Sequence, residues 1–90
     1  MRVVHRLVGY DRRTDRATVR FDVPGKLLPA AFRIAQVPGD DPDAVWSYPL
    51  CSDQARELAD LIGAKLDADR AEFFLEAFAD PAPTGTVAAP

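Results

Sequence analysis

Two hydrophobic periods run through this chain. From Arg16 to Val23 the positions alternate: Ala17, Val19, Phe21 and Val23 are apolar, while Arg16, Thr18, Arg20 and Asp22 are polar. A period of two predicts a strand with one dry and one wet side. Between Ser52 and Gly63 the period lengthens. Ala55, Leu58, Ala59 and Ile62 recur at i, i+3, i+4 and i+7, which draws a single stripe along a helix. Ser52 is expected to cap its start, because a hydroxyl there can accept a first-turn amide proton. Asp53 suits the positive end of the helix dipole, and Gly63 supplies the left-handed residue that commonly ends a helix. Arg56, Glu57 and Asp60 fall on the outer side. A helix this short is marginal alone, so its stripe implies a partner surface.

The other segments are read against these two. Arg2 to Tyr10, rich in Val, Leu and Tyr, predicts a strand. Asp11 to Asp15 is a polar turn of hairpin length, so Arg2–Tyr10 and Arg16–Val23 form an antiparallel hairpin that Pro24-Gly25 ends. Over Lys26 to Val37, Leu27, Leu28, Ala31 and Ala35 fit a helix face with Pro29 in its first turn. Phe32, Ile34 and Gln36 would alternate in a strand, and the helix is preferred. Residues 38–43 form a loop by composition. Trp46, Tyr48 and Leu50 then bring back apolar surface, with Pro49 keeping the segment extended. Glu72 to Ala79 is open between two forms. Asp69 with Glu72 resembles a capping box, whereas Phe73, Phe74 and Phe78 suit a strand. The strand is preferred, because a lone hairpin gains from a third strand. After Asp80 there is little to bury, and 81–90 is expected to be a disordered tail.

The expected fold is therefore one α+β domain over 1–80. A three-stranded antiparallel sheet, made of the N-terminal hairpin plus a C-terminal strand, carries one or two helices on one face. The helix side takes Ala17, Val19, Phe21 and Val23 with His5 and Leu7. The reverse side shows Arg2, Val4, Arg6, Val8 and Tyr10 beside Arg16, Thr18 and Arg20. Either Phe73 and Leu75 or Phe74 and Phe78 join it.

Composition narrows the function. At 90 residues there is room for one core, which buries about 60–65% of the unfolded surface. Apolar content of 48% and charged content of 28% suit a soluble globular domain. No stretch is long enough to cross a bilayer, and charges spread through Met1 to Arg6 leave no apolar signal core. The single cysteine allows no internal disulfide and fits a reducing cytoplasm. Net charge is −3 but uneven: residues 1–36 hold eight Lys/Arg against three Asp, and 37–90 hold three against eleven Asp/Glu. Such asymmetry marks a basic binding face, or two halves that attract one another.

Candidate chemistry is sparse. His5 is the only histidine, and no nucleophile or second base is spaced to work with it. Cys51, beside the helix start, could have a lowered pKa, but lacks an accompanying His or Cys motif and is read as a small buried residue. Asp40, Asp41 and Asp43 lack calcium-loop spacing, with Pro42 between them, and are read as a solvated loop. Asp67 and Asp69 read as turn-capping residues. There is no phosphate-binding glycine loop, zinc spacing or nucleophile elbow. No catalytic residue, metal site, cofactor or small-molecule substrate is expected.

Two stretches, Tyr48-Pro49-Leu50 leading into the helix and the closing Phe73-Phe74-Leu75-Glu76-Ala77, resemble short uncharacterised bacterial proteins that carry a domain of unknown function. The likeness covers about a third of the chain. It implies a bacterial origin and a stand-alone small domain, and no activity.

The function expected is a non-catalytic protein-binding domain, docking a protein partner or a second copy through Arg2, Val4, Arg6, Val8, Tyr10, Arg16 and Arg20. Arginine and tyrosine are enriched at interface centres. An accessory or immunity-type partner of a larger bacterial protein would have this size. The alternative is single-stranded nucleic acid on the same face, against which stand the acidic pI near 4.9 and the missing RNA-recognition motif. An enzyme would need a pocket gathering His5, Cys51 or the acidic loop.

Overall fold

The computed structural model describes residues 2–67 and 69–80, with Arg2 and Asp80 described by backbone only. The tail expected at 81–90 lies outside the described residues.

The alternating segments form the expected hairpin. β1 (Arg2–Asp11) pairs antiparallel with β2 (Ala17–Val23), setting Leu7 opposite Phe21 and His5 opposite Val23. Asp11 Oδ1 accepts the backbone N–H groups of Arg13 (2.7 Å) and Thr14 (3.0 Å), which tightens the turn. A short 3-10 turn at Gly25–Leu27 leads into α1 (Leu28–Ala35), with Pro29 in its first turn. Gln36 ends α1 in the left-handed region at φ 58°, and Val37 N–H returns to Phe32 O at 3.0 Å. The helical alternative for Lys26–Val37 is the one observed.

β3 (Tyr48–Leu50), α2 (Ser52–Ile62) and β4 (Ala71–Asp80) complete the domain. The sheet order is β2-β1-β4-β3, antiparallel throughout. The sheet thus has four strands rather than three. β3 escaped the sequence because three residues centred on a proline carry no alternation. Only its pairing with β4, Tyr48 opposite Leu75 and Leu50 opposite Phe73, makes it a strand. β4 takes the strand form, and no helix starts at Asp69.

A second correction concerns the α2 cap. Cys51, extended at ψ 171°, is the N-cap, and Ser52 is the first helical residue. Gln54 explains the shift by one. Its Oε1 accepts Cys51 N–H at 2.8 Å, and its Nε2 donates to Ile34 O at 2.8 Å. One side chain therefore closes the end of α2 and ties it to α1. At the other end, Gly63 (φ 74°) stops α2 as the sequence implied.

Both helices pack on one side of the sheet. Leu7 and Leu75 face each other across β1 and β4, fully buried beneath Leu58, Ala55 and Ala59 of α2 and Ala31 and Ala35 of α1. Phe73 lies opposite Gly9. A Cβ on Gly9 would stand 2.6 Å from the Phe73 ring and 2.8 Å from Val19 Cγ2. Glycine at that point is what lets the ring lie flat across β1.

Candidate interaction face

The reverse side of the sheet is built by alternation. Opposite the helices, β1 presents Val4, Arg6, Val8 and Tyr10, β2 presents Arg20 and Asp22, and β4 presents Glu72, Phe74, Glu76 and Phe78. No residue of this set belongs to the core beneath the helices. Val8 is nevertheless 0% exposed. It lies between Arg20 on β2 and Phe74 on β4. The Tyr10 ring meets Phe74 edge-on at 5.6 Å and 79°. Its hydroxyl donates to Glu76 at 2.8 Å, which holds the ring down. Arg6 lays its guanidinium 4.9 Å above the centre of the Phe78 ring. Val4, Tyr10, Phe74 and Phe78 remain half-buried.

Charge on this side is mixed, not cationic. Arg6 Nε is bonded to Asp22 Oδ1 at 2.8 Å. Glu76 accepts both the Tyr10 hydroxyl and Ser47 Oγ (3.0 Å). Burial pushes the Tyr10 phenol above its ordinary pKa, the hydrogen bond and charge of Glu76 push it further, and Arg20 partly offsets them. The basic N-terminal half and the acidic C-terminal half meet here within one chain, with Arg6 opposite both Asp22 and Glu76.

Among the residues expected to bind a partner, Val4, Arg6, Val8, Tyr10 and Arg20 are brought together. Arg16 is not. The register shifts between Gly9 and Tyr10, so Ala17 stands opposite Tyr10 and shares its side rather than the helix side. Arg16 then falls opposite Asp11, whose N–H donates to Arg16 O at 2.9 Å, and its side chain is exposed at the hairpin end. Arg2 pairs through its backbone with Asp80, and its side chain lies outside the described residues. Phe74 and Phe78, left open against Phe73 and Leu75, are the pair on the reverse side. The glutamates alternating with them were legible in the pattern once that choice was made. Trp46 was missed as a surface group. It is 69% exposed and precedes Ser47, whose Oγ reaches Glu76.

The groups that could carry chemistry are engaged elsewhere. His5 is buried on the helix side, edge-on to Phe32 at 5.1 Å. Its Nε2 meets Asp43 O at 3.0 Å and Ala44 O at 3.2 Å, so Nε2 carries the proton, since carbonyls only accept. Nδ1 is buried without a partner.

The acidic loop corrects its expectation of full solvation. Asp40 and Asp43 are exposed, but Asp41 is buried. Its carboxylate accepts Val45 N–H (3.1 Å), Trp46 N–H (3.3 Å) and the Tyr48 hydroxyl. Burial alone would raise the Asp41 pKa. The Tyr48 hydroxyl, the two amides and nearby His5 outweigh it, and the carboxyl sits below its usual value. Tyr48 moves the other way, pushed up to about 12 by burial and then by Asp41. Among the described residues, no group of three or more His, Cys, Asp or Glu is placed to hold a metal ion.

Cys51 is also corrected: it is exposed, not buried. As the residue after Leu50 and the N-cap of α2, it cannot follow the helix stripe into the core. His5 pairs with Ala77 and Leu50 with Phe73, four residues apart along β4, or about 13 Å. The structure therefore brings His5 to the acidic loop but leaves Cys51 well away from both. A groove of about 590 Å³ lies between α1 and α2, lined by Ile34 and Leu61 and by Arg33, Glu57 and Asp60. It contains neither His5 nor Cys51.

Residues 4–76 match the family model described as Domain of unknown function (DUF7683). The chain belongs to this family. The matched span takes in β1 from Val4, both helices, β3 and β4 up to Glu76, and so includes most of the reverse face. It covers Tyr48-Pro49-Leu50 and the helix that follows, and runs into the closing aromatic strand, the two stretches on which the resemblance rested. No curated protein and no solved structure matches the chain. No helix among the described residues is long and apolar enough to cross a membrane.

Proposed function

We propose that this DUF7683 domain is a non-catalytic binding module that docks onto another protein through the reverse side of its sheet. One observation carries the reading. Among the described residues no helix covers that side, yet its side chains are pre-set: Tyr10 is tied to Glu76, Arg6 is laid on Phe78, and both aromatic rings remain partly open. Side chains already fixed cost less ordering on binding than free ones. Tyr, Phe and Arg are types enriched at interface centres, while Asp22, Glu72 and Glu76 on the same side are of types depleted there. Trp46, 69% exposed and next to Ser47 in the chain, adds a residue type prominent among binding hot spots. The mixed charge favours a protein over single-stranded nucleic acid, because a phosphate backbone would run against Asp22, Glu72 and Glu76. The single cysteine fits a reducing, cytoplasmic setting.

The test is affinity capture from extracts of the source cells, with wild type and two kinds of variant. Phe78→Ala and Trp46→Ala are expected to lose a partner that Glu57→Lys, on the exposed side of α2, retains. Equal capture by all of them overturns the reading. Retention on an oligonucleotide column that falls steeply with salt would favour the nucleic-acid alternative.

A further inference from the structure

The two outer strands of the sheet are finished differently. β3 is three residues long with Pro49 at its centre, and proline has no amide to offer a further strand. β2 runs for seven residues without proline and, among the described residues, has a strand (β1) on one side only. From Val19 to Val23 its register with β1 is unbroken. Such an edge presents free N–H and C=O groups that template another strand, and chains ordinarily blunt it. We propose that the β2 edge pairs antiparallel with the β2 edge of a second copy of this chain, about a two-fold axis at Phe21.

The side chains identify the occupant. In a two-fold antiparallel pair, a residue before the axis faces its mirror position after the axis on the other copy. Centred on Phe21, Arg20 faces the second copy's Asp22, Asp22 faces its Arg20, Val19 faces its Val23, and the two Phe21 rings meet. Opposite charges directly across a strand pair stabilise it, and like charges oppose it. Moving the axis to Arg20 would set arginine against arginine, so Phe21 is the register that satisfies both charges. Arg20 forms no ion pair among the described residues. Asp22 is bonded to Arg6, but its side chain is 80% exposed, and a carboxylate has acceptor sites left for a second guanidinium. Phe21, half-buried at the margin of the core, would be covered by its own copy.

Pairing gives one continuous eight-stranded sheet, twice the four of the monomer, with all helices on one side and both reverse faces joined on the other. The edge contact rests on β2 backbone groups and on Arg20 and Asp22. Arg20 and Asp22 also border the docking face, but the docking reading is tested at Phe78 on β4, away from the β2 edge, so the two proposals fail on different variants.

Light scattering of the full chain over a concentration range tests this. The wild type is expected to pass from monomer to dimer. Arg20→Asp alone, and Asp22→Arg alone, should each raise the dissociation constant at least about tenfold, since two attractive pairs become repulsive. An equimolar mixture of the two variants should dimerise again, because every pair across the axis is then opposite in charge. If either single variant fails to fold, the double variant Arg20→Asp/Asp22→Arg, which keeps both charges, is expected to dimerise like wild type. Amide exchange should slow at alternate β2 residues in the dimer. A wild type that stays monomeric overturns the proposal, as does a mixture or double variant that stays monomeric. A dimer that survives both single variants but is lost in Phe78→Ala places self-association on the reverse face and overturns it equally.

Discussion

Phe74 and Leu75 are adjacent in β4 and point to opposite sides of the sheet. Leu75 is fully buried among side chains that come from other elements of the fold, α1 and α2 included. Phe74 is only half-buried, with the Tyr10 ring of β1 set edge-on to it. The helix side is thus dried by a second layer of secondary structure. On the reverse side Val8 alone of the β1 residues is fully buried, and Val4, Tyr10, Phe74 and Phe78 stay half-buried. A layer cannot be removed without unfolding the chain, whereas the reverse side keeps aromatic rings that are already partly open. The same four strands therefore carry a layered core on one side and, among the described residues, a face with no helix over it on the other.

The largest effect that would sharpen this contrast is Leu58→Asp on the helix side. Leu58 is 0% exposed, and an unpaired carboxylate there should abolish cooperative unfolding in urea altogether. Next comes Gly9→Ala. Its added Cβ would meet Phe73 and Val19 at under 3 Å, and overpacking of this kind costs about 1–3 kcal/mol, readable as a lower urea midpoint.

The Asp41–Tyr48 contact that closes the loop beside the helix side should show itself in pH. The folded Asp41 pKa lies below 3.8, so its contribution is full above that value and is lost as pH falls through the lowered one. The folded Tyr48 pKa lies near 12 against 10.0, so its contribution is full below pH 10 and is lost as pH climbs to about 12. Asp41→Asn should flatten the acid limb of stability against pH, and ultraviolet titration should show Tyr48 ionising late. Smallest is Tyr10→Phe on the reverse side. It removes one hydrogen bond to a carboxylate that keeps Ser47, and should cost about 0.5–1.5 kcal/mol. A loss as large as that of Gly9→Ala would break the contrast.

Much of the helix side was legible in the sequence. Its elements declare themselves by periodicity: Val19-Phe21-Val23 by alternation, Ala55-Leu58-Ala59 by the helical stripe, and Gly63 by its conformation. The reverse side was legible only in part, because its identity depends on pairings the chain does not announce. Phe73-Phe74-Leu75 is apolar at every position, so either set could have faced the helices, and the choice decides whether Glu72 and Glu76 join the arginines. The register shift at Tyr10 moved Ala17 and Arg16 each to the side opposite that implied by strict alternation. Asp41 was hidden for a different reason. Its neighbours Asp40 and Asp43 make the segment read as solvated, and its burial depends on the hydroxyl of Tyr48 and on two amides arriving together.

The central claim is that the reverse side is a docking face and not a second core. Urea unfolding of Phe78→Ala beside Leu75→Ala, in the isolated chain, tests it most directly. Leu75→Ala is expected to lose about 2–5 kcal/mol, and Phe78→Ala only about 1 kcal/mol, from the lost Arg6 contact and partial burial. Equal losses at the two positions would contradict the account, because the half-open face would then be holding the fold together.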